Sequence, residues 1–392
     1  MEIQVDNVKT VASSDAVLTN ARIVAADSVF SGSLAISGGR IAAVDEGRSQ
    51  IPGAIDCDGD YLLPGLVELH TDNLERHFSP RPGVVWPSMS AVVAHDAEIA
   101  VSGITTVFDA LRLGSIRGDN AIVRHVQTVA DSVAQAQQRD SLRAEHYLHM
   151  RCEVSCADAA AGLVEFVENP LVRLVSVMDH TPGQRQFANM EKYREYYGGK
   201  YGLTGDDMAR FIDEAMAAQV QNSAPNRRAI VALCHSHNVA LASHDDATAP
   251  HVEEAIADGM AIAEFPTTVE AAELSSKNEL KVLMGGPNVV RGESHSGNVS
   301  ALELAERGLL DIVSSDYVPS SLLHAAFKVA DEVDRIDLPA AVGMVSRAPA
   351  EAAGLNDRGE IAPGKRADLV RVKRVDDAEI VRTVWRAGTR VV

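Results

Sequence analysis

Pro64-Gly65-Leu66-Val67-Glu68-Leu69-His70-Thr71-Asp72 reads as a turn into a short apolar strand whose far end carries an imidazole and a carboxylate. His70 and Asp72 stand two apart, so on an extended strand both project to one side and can share a divalent cation. Downstream, apolar strand-like runs alternate with helical stretches, the signature of parallel β/α units. Candidate strands fall at 66–69, 105–108, 145–154, 171–178, 239–243, 261–264, 281–284 and 311–315. Eight is the number that closes a (β/α)8 barrel, whose catalytic side chains sit at the C-terminal ends of its strands. The connection 184–229 is long for one crossover. Its stretches 190–197 and 205–220 look helical, so an insertion over the barrel mouth is expected.

The chain ends read differently. Ala21-Arg22-Ile23-Val24-Ala25, Ser33-Leu34-Ala35-Ile36 and Arg40-Ile41-Ala42-Ala43-Val44 are short strands, with a tight turn at Gly38-Gly39. Residues 361–370 read as a turn into a strand and 381–392 as a final hairpin. The expected fold class is α/β: a distorted (β/α)8 barrel over 61–357, with a small β-sandwich domain built from 1–60 and 358–392.

Composition narrows the function classes. Hydrophobic residues make up 46% and charged residues 23%, which fits a soluble globular chain. Aromatics are only 4%, so Ala, Val, Leu and Ile must build the core. A formal charge of −19 repels nucleic acid and anionic membrane, so neither is an expected partner. Any anion must instead be held by a local cluster of Arg, Lys and backbone N–H groups. No charged segment followed by an apolar one opens the chain, and no apolar run is long enough to span a bilayer. Cys57, Cys152, Cys156 and Cys234 form no CxxC pair and read as reduced thiols of a cytoplasmic protein. A metal role for Cys152 and Cys156 is the minor alternative.

Acidic residues and histidines recur where the strands end: His70 and Asp72, Glu153, Asp179-His180, His244-Asp245, and Asp316. A lone His at a strand end is more often a packing residue than a ligand, but five such clusters in one chain are hard to explain by chance. His70, Asp72, Glu153, His180, His244 and Asp316 are the candidate metal ligands, with Glu153 able to bridge two ions. Imidazole with carboxylate suits zinc, with Mn, Fe or Ni as alternatives. A divalent ion lowers the pKa of a water, and Asp316 is the candidate to accept the proton and pass it on. His95 and Asp96, expected on a helix, are candidate supporting partners of the ligands.

Leu18-Thr19-Asn20-Ala21-Arg22-Ile23-Val24, the 64–70 entry and Pro363-Gly364-Lys365-Arg366-Ala367-Asp368-Leu369 together resemble the amidohydrolase superfamily. The resemblance implies the barrel, the flanking domain from both termini, one or two divalent ions and a homodimer. Most members carry His-x-His on the first strand, where this chain has His70-Thr71-Asp72. No lysine ends the fourth candidate strand to serve as a bridge; Glu153 stands in for it, as a glutamate does in the sugar-phosphate deacetylase branch.

A narrower resemblance lies in His70-Thr71-Asp72-Asn73-Leu74-Glu75, Ser79-Pro80-Arg81-Pro82, Asp179-His180-Thr181-Pro182-Gly183-Gln184, Ser243-His244-Asp245-Asp246, Gly285-Gly286-Pro287-Asn288, Ser296-Gly297-Asn298 and Ser315-Asp316-Tyr317. In this order they are similar to the diphosphatases of phosphonate metabolism, in the carbon–phosphorus lyase pathway. That implies a small phosphorylated sugar phosphonate as substrate, a ribose phosphonate 5-triphosphate split into 5-phosphate and diphosphate. Its charge calls for cations: Arg81, Arg112, Arg185 and Arg291 are the candidates, with Lys192, Arg194 and Lys200 of the insertion as lesser ones. Gly285, Gly286 and Asn288 follow the seventh candidate strand, where backbone N–H groups can approach an oxyanion. Two rivals stand beside this reading: a deacetylase or cyclic-amide hydrolase, and a non-catalytic component of a phosphonate-processing assembly. The number of cations facing the metal site separates the first, since a neutral amide needs few; metal content separates the second.

Overall fold

The computed structural model describes residues 15–81, 83–114, 125–187, 190–294 and 297–392, with only the backbone of Lys200. Pro82 and Ser296 of the quoted motifs, and the Lys200 side chain, lie outside this description.

Eight parallel strands follow one another around a barrel: β6 (Leu66–Thr71), β7 (Ile104–Leu113), β8 (Glu145–Glu153), β9 (Val172–Met178), β10 (Ala240–His244), β11 (Ile262–Glu264), β12 (Lys281–Gly285) and β13 (Ile312–Ser314). The ring closes where Asp316 N–H donates to His70 O at 3.1 Å and Asp72 N–H donates to Asp316 O at 2.9 Å. All six residues of β6 are buried, as a strand covered on both faces requires. Inside the ring, Val67, Phe108, Leu174, Ala242, Ile262, Leu283 and Ile312 form one apolar cluster, and Ala350 and Leu355 pack against it. The aliphatic core anticipated from the scarcity of aromatics is present.

The termini meet in a second, mixed sheet of eight strands. It contains β1 (Ala16–Val24), β2 (Val29–Ser37), β3 (Arg40–Glu46), β4 (Ile55–Asp56) and β5 (Tyr61–Pro64) from the N-terminal end. From the other end come β14 (Leu369–Val375), β15 (Ala378–Arg386) and β16 (Thr389–Arg390). β5 joins the two halves, parallel to β1 and antiparallel to β14. This sheet docks on the barrel through Leu63, Val370, Val372 and Val384, which share a buried cluster with Ile99, Ile104 and Val282. Gly65, between β5 and β6, has to be glycine, since a Cβ there would lie 2.3 Å from Thr105 Oγ1.

Between β9 and β10 lie the helix Met190–Tyr201 and a 33-residue helix, Gly205–His237. The second runs on through Pro225 to β10, further than the 205–220 expected. Its C-terminal part is thus the ordinary crossover, and the added material is the short helix with the first turns of the long one. Phe187, Tyr193, Tyr197, Phe211 and Ile212 bury one another there, a small aromatic core in a chain that has few aromatics. No helix among the described residues is long and apolar enough to cross a membrane.

Candidate metal centre and active site

The strand ends deliver three histidines whose Nδ1 atoms all meet buried carboxylates. His70 Nδ1 and His244 Nδ1 lie 3.2 Å from the two oxygens of Glu264, at the end of β11. His180 Nδ1 lies 2.6 Å from Glu153 Oε2, at the end of β8. Glu264 is held well below the usual carboxylate range: burial opposes ionisation, but His149, His70 and His244 outweigh it. Glu153 is held at about 2, against burial, by His180 and Arg112. An ionised carboxylate only accepts, so each Nδ1 carries a proton, and Nε2 is the nitrogen left to serve as a ligand.

Those Nε2 atoms define a place for a cation. His180 Nε2 and His244 Nε2 lie 3.6 and 3.4 Å from Asp245 Oδ2. That oxygen is buried and has no hydrogen-bond partner. Two ring nitrogens beside a buried carboxylate oxygen that lacks a hydrogen-bond partner are a donor set that a cation satisfies. Ligand bonds of about 2.1 Å in a tetrahedral zinc site separate ligand atoms by about 3.4 Å, close to the spacing seen. The residues present therefore fit a divalent ion, and His70, His244 and Glu264 form an adjoining cluster of the same kind.

Backbone geometry turns these side chains inward. Asp245, Phe265 and Asp316, each just after a barrel strand, have φ of +57°, +53° and +54°. Left-handed backbone is tolerable for Asp and costly for Phe, so strain gathers at the mouth. On β6 the ladder to β7 slips between Glu68 and Thr71, and the strand stops at Thr71. His70 and Asp72 thus reach the cavity from a strand end and the turn after it, rather than from one even face.

The cavity at the mouth has a volume of about 340 Å³. Among the sequence candidates it is lined by His70, Asp72, His180, His244, Asp316, Arg112, Arg291, Gly285 and Asn288. Asp316 is half-buried, and loss of solvation and then the like charge of Asp72 raise its pKa to about 6. Arg112 lies against Glu153 at 2.7 Å, and half-exposed Arg291 faces Glu293 at 3.9 Å.

Other candidates stand elsewhere. Glu153 lies behind His180, its oxygens committed to Arg112 and to the ring and backbone N–H of His180. Arg185 is buried against Asp246, Glu254 and the His244 carbonyl. Arg81 is exposed and away from the cavity lining. Gly286 packs against Ser321, where a Cβ would come within 2.6 Å of the hydroxyl; close packing is what makes it glycine. Asn288 spends both ends of its amide on Val299 O and Ala301 N–H, so it pins the loop after β12. Lys192 and Arg194 are exposed on the added helix, with Lys192 Nζ against Gly297. Cys152 and Cys156 are buried thiols outside the cavity, and burial raises both pKa values.

Arg151, Asp245 and Glu264 were not singled out as site residues from sequence. Arg151 stands two before Glu153 on the same strand, Asp245 follows His244, and Glu264 ends a recognised strand. The strand-end rule could have found all three.

His95 and Asp96 belong to a chain of buried groups beneath the helix Ser88–Val101. Asn73 Nδ2 donates to His95 Nδ1 at 3.0 Å, and His95 Nε2 donates to Asp109 at 2.7 Å. His146 then donates from both nitrogens, to Asp109 at 2.8 Å and to Asp96 at 3.3 Å. A ring that donates twice is an imidazolium. Burial alone would lower its pKa, but Asp109 and Asp96 raise it to about 9. This raised pKa contributes stability that is fully present below the unfolded value near 6.5 and is lost as pH rises through about 9. On the order of 3 kcal/mol is involved, or roughly 4 °C of melting temperature for a chain of this length. Melting curves from pH 6 to 10 should fall steeply for the native chain and less so for His146→Gln. Parallel curves would contradict the charge assignment.

A parallel barrel with imidazoles and carboxylates gathered at the C-terminal ends of its strands defines a hydrolase class. The chain belongs to the amidohydrolase family, whose sequence pattern, described as "Amidohydrolase family", matches residues 97–392. It is 51% identical over 376 residues, covering 96% of this chain and 100% of the relative, to the alpha-D-ribose 1-methylphosphonate 5-triphosphate diphosphatase of Escherichia coli strain K12. An adenine deaminase of Desulfatibacillum aliphaticivorans is 26% identical over 96% of this chain, which spans 58% of that enzyme's length. Among solved structures, the N-acetylglucosamine-6-phosphate deacetylase of Pasteurella multocida shares the fold with a TM-score of 0.64 at 13% identity, over 96% of this chain and 99% of that one.

Proposed function

We propose that this chain hydrolyses alpha-D-ribose 1-methylphosphonate 5-triphosphate to the 5-phosphate and diphosphate, with a divalent ion, zinc first, held by His180, His244 and Asp245 beside His70. The observation that carries the reading is the meeting of that ion-shaped gap with three guanidiniums, Arg112, Arg151 and Arg291, in one cavity. A neutral amide calls for no such cluster, whereas a triphosphate calls for several cations. The similar diphosphatase supplies the substrate's name; the three guanidiniums share the lining with Asp72, Glu75, Asp245, Glu293 and Asp316, so the bound ion has to supply part of the positive charge a triphosphate needs.

When bound, the ion lowers the pKa of a water and screens charge on the phosphoryl oxygens. Asp316 accepts the water's proton as its oxygen bonds to phosphorus, and the bond to the departing diphosphate breaks. The proton then passes to the leaving oxygen or to solvent. Arg112 and Arg291 hold phosphate oxygens, and Glu153 and Glu264 fix the imidazoles. The same reading extends to a cytoplasmic homodimer and to a small domain beside the barrel, with the expected boundary between 60 and 61 moved past β5, since Tyr61–Pro64 pairs within the terminal sheet.

Diphosphate release by native protein should stop after exhaustive chelation and return on adding Zn²⁺. Release that persists without metal would overturn the mechanism. Glu264→Gln keeps the shape but accepts from one ring only, so Zn²⁺ affinity should fall about 10–100-fold. Competition with a chromogenic chelator measures this, and an unchanged affinity would remove Glu264 from its positioning role.

A further inference from the structure

We propose that Arg151 is a built-in second cation, its guanidinium filling the place of a second ion so that the centre binds one metal. Arg151 lies on β8 and lines the cavity, with only 14% of its side chain exposed. Its Nη1 donates to Asp72 Oδ1 at 2.7 Å and to Oδ2 at 3.0 Å. Its Nη2 lies 3.4 Å from His244 Nε2. The guanidinium thus holds a carboxylate that, judged by residue type, would serve an ion, and it borders the imidazole assigned to the metal.

Two further observations assign the places. Both oxygens of Asp72 are occupied, and Arg keeps its charge at any working pH. A second divalent ion at Asp72 would have to expel the guanidinium or sit in contact with it, against like-charge repulsion. By contrast, among the described cavity-lining residues Asp245 Oδ2 is the one fully buried carboxylate oxygen left without a hydrogen-bond partner. One cation place is filled by the chain itself and one is left for a metal. The Asp72 that stands where the second histidine of the first-strand pair would be fits this arrangement, because an ionised carboxylate accepts from a guanidinium on both oxygens whereas an imidazole offers one lone pair at most.

The inference rests on the reading that His180, His244 and Asp245 hold a metal, and the test separates the two. Metal-free protein is loaded with Mn²⁺, dialysed, and analysed for manganese per chain and by electron paramagnetic resonance. Native protein and Arg151→Lys, which keeps the charge, should each hold one Mn²⁺ with the spectrum of an isolated ion. Arg151→Met, of similar length and no charge, should hold two, with the broadening of a coupled pair; melting curves report that each variant is folded. Two ions in the native chain, or one in folded Arg151→Met, would overturn the inference while leaving the metal centre standing. No retained ion in the native chain would sink both.

Discussion

Asp316→Asn is expected to lower kcat/KM for diphosphate release by about 10³-fold, within the 10²–10⁴ range of general acid–base catalysis. The side chain lines the cavity, and loss of solvation and Asp72 raise its pKa to about 6, so it is ready to take up a proton near neutral pH. Asparagine keeps the size and tolerates the φ of +54°, so the strand seam at His70 should survive. Stability should move the other way. A carboxyl whose folded pKa is raised destabilises the fold in its ionised form, not at all below about pH 4 and fully above about 6. At pH 7 and without metal, Asp316→Asn should therefore melt higher than native while losing activity. Equal rates would take Asp316 out of the mechanism; a lower melting temperature would contradict its electrostatic account.

His244→Ala is expected to weaken Zn²⁺ binding by about 10²–10³-fold, more than the loss of any orienting partner. A four-ligand zinc site binds with about 10–16 kcal/mol, so one ligand carries roughly 3–4 kcal/mol. His244 belongs to both clusters of candidate ligands, its Nδ1 on Glu264 and its Nε2 facing Asp245. Removing it also leaves Glu264 Oε2 and Asp245 without that ring. Chelator competition gives the affinity directly. A loss no greater than that of Glu264→Gln would mean that His244 is not a ligand.

Much of the architecture was legible because it follows from periodicity. Strand ends at His70, Glu153, His180, His244 and Asp316 mark barrel positions, and the turn-rich termini announce the second sheet. The division of labour among the carboxylates was not legible. A Glu that orients an imidazole and an Asp that faces an ion have the same chemistry; only distance separates Glu153 and Glu264 from Asp245. Arg185 and Arg112 look alike in sequence, yet one is consumed by Asp246 and Glu254 and the other lines the cavity. Period-two reasoning paired His70 with Asp72, but the slipped ladder on β6 places them, and Arg151 claims Asp72. The long helix runs on past the expected 205–220, and Asn222 and Asn226 donate to carbonyls of the loop after β8 and hold the helix against it.

One ion shared by His180, His244 and Asp245 is central to the proposed chemistry. Crystals of zinc-loaded protein, measured on both sides of the zinc absorption edge, locate that ion without reference to activity. We predict one anomalous peak per chain, about 2.0–2.2 Å from His180 Nε2, His244 Nε2 and Asp245 Oδ2. A peak elsewhere in the barrel, or none at this cluster, would contradict it.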